Sequence, residues 1–173
     1  MADISIIEMA TCVMKGVAKG LEEKCAMAVT DLPVVEKNSQ NNVWIIMDTP
    51  GMFVSSLQFT RTISGREYQN IGILYISKAK AVEIFRNSGV TERSMDEEIS
   101  GLCGGLCTAM VGAFKAELGK VDQAEVTVDK VKNYSNKAKE QIPMKGACQN
   151  YGLMVYNAGR HVLSVDFVIQ EVK

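Results

Sequence analysis

Residues 94–118, SMDEEISGLCGGLCTAMVGAFKAEL, constrain the fold more than any other stretch, because they form a long helical pattern with two distinct faces. Ser94 and Glu97 have the spacing of a capping box, in which hydroxyl and carboxylate cover each other's free backbone N–H groups. Ile99, Cys103, Leu106, Met110, Ala113 and Phe114 recur at helical spacing and make a face that requires a core. Glu98, Gly101, Gly105, Ala109 and Gly112 share a different stripe, three and four residues apart. Each glycine in a helix interior costs ~1 kcal/mol relative to alanine. Repeated glycines on one stripe therefore imply close approach, by another chain or by another element of the same one.

Composition sets the frame around this helix. At 173 residues the chain suits a single domain, residues 1–173, with enough core to fold without staples. A hydrophobic content of 47% and a formal charge of −1 describe an ordinary globular protein. No basic patch stands out, so nucleic acid is not an expected partner. No uninterrupted apolar run is long enough to span a bilayer, so no membrane is expected either. The start MADISIIEM lacks the basic region and apolar core of a signal peptide. Five cysteines and ten methionines without regular spacing fit the reducing cytoplasm, where thiols serve as small core residues.

The remaining chain alternates helix and sheet signals. Asp3 can cap a first helix running to about Ala28, with Ile6, Ala10, Val13, Val17 and Leu21 inward. Residues 31–42 are polar and read as loop. Val43–Met47 is a short apolar run, and Asp48-Thr-Pro-Gly51 turns the chain. Phe53–Thr62 alternates, with Phe53, Leu57 and Phe59 on one side and Val54, Gln58 and Thr60 on the other. Ser64-Gly65 makes a hairpin turn into Tyr68–Ser77, apolar on both faces towards its end. Lys78–Asn87 reads as a short helix stopped by Gly89. Ala124–Val131 is a weak strand, and residues 133–150 a polar surface excursion. Tyr151–Tyr156 and His161–Val172 are joined by the hairpin signal Asn157-Ala-Gly-Arg160. Hairpin-linked strands imply an antiparallel sheet, and two long helices must cover one of its faces. The expected class is α+β in two layers.

With these pieces in order, the chain resembles the chemotaxis phosphatases of the CheC–FliY–CheX type, and the CheX branch most closely. The likeness is carried by residues 53–77 (FVSSLQFTRTISGREYQNIGILYIS), by EISGLCGG in the long helix and by GLMVYNAGRHVLSVDFVIQ near the end. The long helix of that family carries Glu-x-x-Asn, followed four residues later by Gly. Glu98 and Gly105 match, and Gly101 stands where the Asn belongs. The resemblance implies that the helix crosses the active site of a phosphorylated CheY-type receiver domain. Its acid, Glu98, would engage the receiver's lysine, while the Asn aims a water in line with phosphorus. Gly101 has no side chain to aim water, so the implied role is receiver binding with weak or lost phosphatase activity. Glu98, Gly101 and Gly105 are the expected partner-binding residues, with Glu98 the candidate catalytic acid. No cofactor of its own is expected, since the receiver would hold the magnesium. Thr11, three residues after Glu8, has the spacing of a second such motif and is again not Asn.

Other readings remain open on the sequence. Ser100 or a backbone amide could replace the Asn in a working phosphatase, or a dimeric domain of this fold could have a different, non-enzymatic binding role. An acid at Glu98 also gains from the helix dipole in any fold. His161, at a strand end, reads as a polar surface residue. Cys103 and Cys107 have a spacing that a metal could bridge, but no further ligands complete a set, so core packing is expected. Val43–Gly51 looks like the Asp-x-x-Gly segment of GTPases, yet no phosphate-cradling Gly-x-x-x-x-Gly-Lys-Ser/Thr accompanies it. The resemblance also implies a homodimer. Phe167–Val172 supports this if that apolar strand lies at an open edge.

Overall fold

In the computed structural model, residues 5–29, 34–40, 43–45, 52–121, 124–134, 140–142 and 148–172 are described. The first helix, α1 (Ile6–Cys25), begins at a capping box made by Ser5 and Glu8. The Ser5 hydroxyl accepts from the Glu8 N–H at 3.2 Å, and the Glu8 carboxylate accepts from the Ser5 N–H at 2.9 Å. Asp3, the expected cap, lies outside the described residues. The helix stops at Cys25, short of Ala28, because Ala26 adopts a left-handed conformation (φ 49°) and its N–H returns to Glu22 O. Val13, Val17 and Leu21 are buried as expected, whereas Ala10 is only half-buried.

Nine strands are present among the described residues: β1 (Val34–Gln40), β2 (Val43–Ile45), β3 (Met52–Ile63), β4 (Arg66–Ser77), β5 (Glu125–Val128), β6 (Lys132–Tyr134), β7 (Glu140–Ile142), β8 (Cys148–Asn157) and β9 (Arg160–Val172). Between β4 and β5 stand α2 (Lys78–Ile84), a 3-10 turn at Arg86–Ser88 and α3 (Asp96–Leu118). Gly89, at φ 83°, closes that turn where the sequence placed its stop. The main sheet is antiparallel throughout, in the order β1-β8-β9-β4-β3-β5, with β6 also on β3. β2 and β7 form a separate antiparallel pair. The fold is α+β, with α1 and α3 together on one face of the sheet.

Three expectations are corrected here. The polar stretch 31–42 contains strand β1, whose main chain pairs along its length with β8, a distant partner that local polarity does not reveal. The excursion at 133–150 likewise contains β6, β7 and the start of β8. Finally, β9 lies between β4 and β8, so Phe167–Ile169 are paired on both sides and do not form an open edge, while residues 170–172 pair with β4 alone. The Asp48-Thr-Pro-Gly51 turn lies outside the described residues.

The strand order has an internal symmetry. Each half of the chain supplies a helix, an outer strand and a hairpin: α1, β1 and β3–β4, then α3, β5 with β6, and β8–β9. Each outer strand pairs with the hairpin of the other half, so the halves cannot separate without breaking the sheet. The two hairpin turns match in backbone as well. Ser64-Gly65 has φ values of 51° and 78°, and Ala158-Gly159 has 50° and 72°. Both positive values at both turn positions belong to the hairpin turn whose twist suits the flanking strands.

The core lies between the helices and the sheet. Ile99, Cys103, Leu106, Met110 and Phe114 of α3 are buried there, as the helical spacing requires, with Ala113 at the margin. Phe114 sits between Phe59 (ring centroids 6.0 Å apart) and Phe167 (4.3 Å), which fixes α3 over the middle of the sheet. A smaller cluster of Val54, Ile71, Ile73, Tyr134 and Val168 occupies the other face. On that face burial, above all, raises the carboxyl pKa of Asp166, against hydrogen bonds from Asn150 and Tyr75 that lower it.

Candidate functional site

The N-terminus of α3 forms without the capping box expected from Ser94 and Glu97. Met95 is the capping residue and makes no side-chain cap bond. Ser94 is used one turn earlier, its Oγ accepting from the Thr91 N–H at 3.0 Å. Asp96, Glu97 and Glu98 fill the first turn, where carboxylates meet the positive end of the helix dipole. Lys78 at the start of α2 reaches Asp96 at 2.8 Å and ties the two helices together.

Glu98 is exposed and has no hydrogen-bond or ion-pair partner among the described residues. One turn on, Gly101 is exposed, and a Cβ built on it would meet nothing within 4 Å. Gly105 and Gly112 are open in the same sense. Glu98, Gly101, Gly105, Ala109 and Gly112 thus line one outward stripe of α3, with exposed Thr108 beside it folded back onto Gly104 O at 2.9 Å. The structure brings the three sequence-predicted site residues together on this stripe.

Close approach inside the molecule is handled by other glycines. Gly16 and Gly20 of α1 let the two helices cross in antiparallel fashion: a Cβ on Gly16 would lie 2.8 Å from the Phe114 backbone, and one on Gly20 2.9 Å from the Met110 nitrogen. Gly104 faces the Asn133 side chain, which accepts from Ser55 Oγ at 2.7 Å. The outward glycines of α3 have no such neighbour. Met95, 67% exposed, adds a large apolar group at the head of the stripe. The sequence reading missed it, since a lone methionine before a helix carries no signal.

The second motif position is occupied differently. Glu8 is the third residue of α1, as Glu98 is of α3. Its carboxylate is held by the Ser5 N–H and hydroxyl, and these bonds lower its pKa. Thr11 donates its hydroxyl to Ile7 O at 2.7 Å. Both side chains are engaged in the helix itself. Cys103 and Cys107 are buried in the core, and burial pushes both thiols up to about 12. The Cys107 thiol points to Ser55 O at 3.5 Å. His161 is exposed and within 3.0 Å of Ser164 Oγ, the polar strand-end position expected of it. By length and composition alone α3 could cross a membrane, but half of its most apolar stretch is buried in this core.

No protein-family model matches the sequence, and no curated protein matches it. Solved structures do match. A CheC-like superfamily protein from Shewanella sp. PV-4 superposes with a TM-score of 0.67 at 15% identity, over 96% of this chain and 99% of that one. The chemotaxis protein CheX from Vibrio vulnificus gives 0.60 at 12%, over 94% and 99%. The CheX–CheY–BeF3–Mg complex from Borrelia burgdorferi gives 0.52 at 10%, over 99% and 100%. At these identities the likeness is one of fold, end to end. This chain has the fold of the CheC/CheX-type chemotaxis proteins.

Proposed function

We propose that this chain docks the outward stripe of α3 onto a phosphorylated receiver domain of the CheY type, as a chemotaxis or two-component signalling protein of the cytoplasm. Glu98 engages a receiver cation, and the open glycines admit the partner's surface close to the helix backbone. Phosphatase activity is weak or lost, because the receiver supplies the metal and the phosphoryl group, and the helix must supply an aimed water. Positioning of that kind needs a polar side chain at the reacting centre. The observation that carries the reading is the pairing of an unpartnered Glu98 with an empty space above Gly101. Its support from comparison is the fold shared with a CheX in complex with CheY. Ser100, the alternative water-aiming group, is half-buried and a third of a turn away from the stripe, which favours a binding role over an active phosphatase. The chain acts as a homodimer in this reading.

The test is loss of phosphate from a phosphorylated receiver of the same cell, with and without the protein. Wild type should bind the phosphorylated receiver and barely accelerate hydrolysis. Gly101→Asn should raise the rate, since the new side chain fits without displacing anything. Glu98→Ala should weaken binding while leaving the melting temperature almost unchanged. Robust wild-type hydrolysis that survives Glu98→Ala would place the chemistry elsewhere. If no receiver binds and Gly101→Asn is inert, a different, non-enzymatic binding role replaces this one.

A further inference from the structure

α2 and the 3-10 turn after it present Ala79, Val82, Glu83 and Arg86, spaced i, i+3, i+4 and i+7, to a cleft of about 630 Å³. Met27, just past the end of α1, lines another part of the wall, and Arg160 enters from the first position of β9. Val82 and Met27 are half-buried and give the cleft an apolar lining. The volume falls within the roughly 300–1,000 Å³ of small-molecule sites, which join an apolar wall to a few placed polar groups.

Charge decides what such a ligand must carry. Glu83 is already paired with Lys80 at 2.9 Å. That hydrogen bond, with a smaller contribution from the nearby Arg160 and Arg86, holds the Glu83 carboxyl below its usual range. Arg86 and Arg160 themselves have no ion-pair partner among the described residues. Glu92 also borders the cleft. Of the lining charges, Glu83 is matched by Lys80, which lies outside the cleft, so Arg86 and Arg160 against Glu92 leave a surplus of one positive charge. A dianion would meet two carboxylates at once, whereas a single carboxylate matches the surplus and the fork geometry of a guanidinium.

We propose that this cleft binds a small organic monoanion, its carboxylate held by Arg86 and Arg160 and its apolar body resting on Val82 and Met27. The site is separate from the α3 stripe, shares no residue with it and stands whether or not a receiver binds there.

The experiment titrates the full isotope-labelled chain with 3-phenylpropanoate and, separately, with its uncharged amide, following backbone amide shifts. The acid should produce saturable shifts at Met27, Val82, Arg86 and Arg160. The amide should bind about tenfold or more weakly, the effect expected for losing charge-assisted hydrogen bonds. Arg86→Gln and Arg160→Gln should each weaken the acid by a similar factor while the rest of the spectrum keeps its dispersion. Glu92→Gln should tighten binding. Equal binding of acid and amide, shifts outside the cleft, no shift at millimolar probe, or indifference to both arginine variants would each overturn the proposal.

Discussion

Glycine has two meanings in this chain, and only atomic surroundings separate them. Gly16 and Gly20 are contact points where α1 meets the backbone of α3; Gly105 and Gly112 face open space. Alanine at Gly16 must therefore push two helices apart, at a cost of ~1–3 kcal/mol for overpacking. Alanine at Gly105 meets nothing and should gain ~0.5–1 kcal/mol from helix propensity alone. Urea midpoints of the two variants should move in opposite directions, and a destabilising Gly105→Ala would mean that the stripe is packed in solution. From the sequence, the cost of the α3 glycines was readable because it is local. Their neighbours were not, since Gly16 and Phe114 are brought together only by the fold. Glu8 and Glu98 show the same limit: both stand at the third residue of a helix, but Ser5 engages one and no described residue engages the other.

Among the elements, those governed by nearby residues were legible and those governed by distant partners were not. Ser64-Gly65 and Asn157-Ala-Gly-Arg160 announced their hairpins because turn backbone depends on the residues in the turn. β1 gave no signal, as its partner β8 lies more than a hundred residues away and its own polar sequence VVEKNSQ suits an edge. Helix caps fell between these cases. Ser94-x-x-Glu97 and Ser5-x-x-Glu8 carry the same four-residue pattern, yet only the second forms the capping box. Ser94 bonds instead to Thr91, within the tight connection from the 3-10 turn. Ser5→Ala should consequently lower stability by about 1 kcal/mol, the usual value of an N-cap hydroxyl. Ser94→Ala removes a turn bond but no cap, and should cost less. Thermal unfolding of the two variants side by side checks the order, and a larger loss at Ser94 would reverse the assignment of caps.

At the scale of the whole molecule, the two halves interlock, and this determines which edges remain for assembly. The sequence showed helices and hairpins twice over without revealing that they repeat one plan, because the repeat lies in topology and turn geometry. With β9 paired on both sides as far as Ile169, most of the apolar C-terminal strand is not an open edge for a second copy. The sheet ends at β1 on one side and at β5 with β6 on the other. β5 leaves Val126 and Val128 37% and 42% exposed, an apolar edge of the kind that invites a partner strand. A homodimer of this chain is accordingly expected to pair through β5, burying both valines across a two-fold axis. Sedimentation of wild type should show a dimer. The double change Val126→Lys with Val128→Lys should give a monomer, because it sets like charges facing each other across the pair. Both positions are exposed in the single chain, so the monomer should keep a nearly unchanged far-ultraviolet spectrum. A wild-type protein that stays monomeric at all concentrations defeats the dimer, and a double variant that still dimerises moves the interface away from β5.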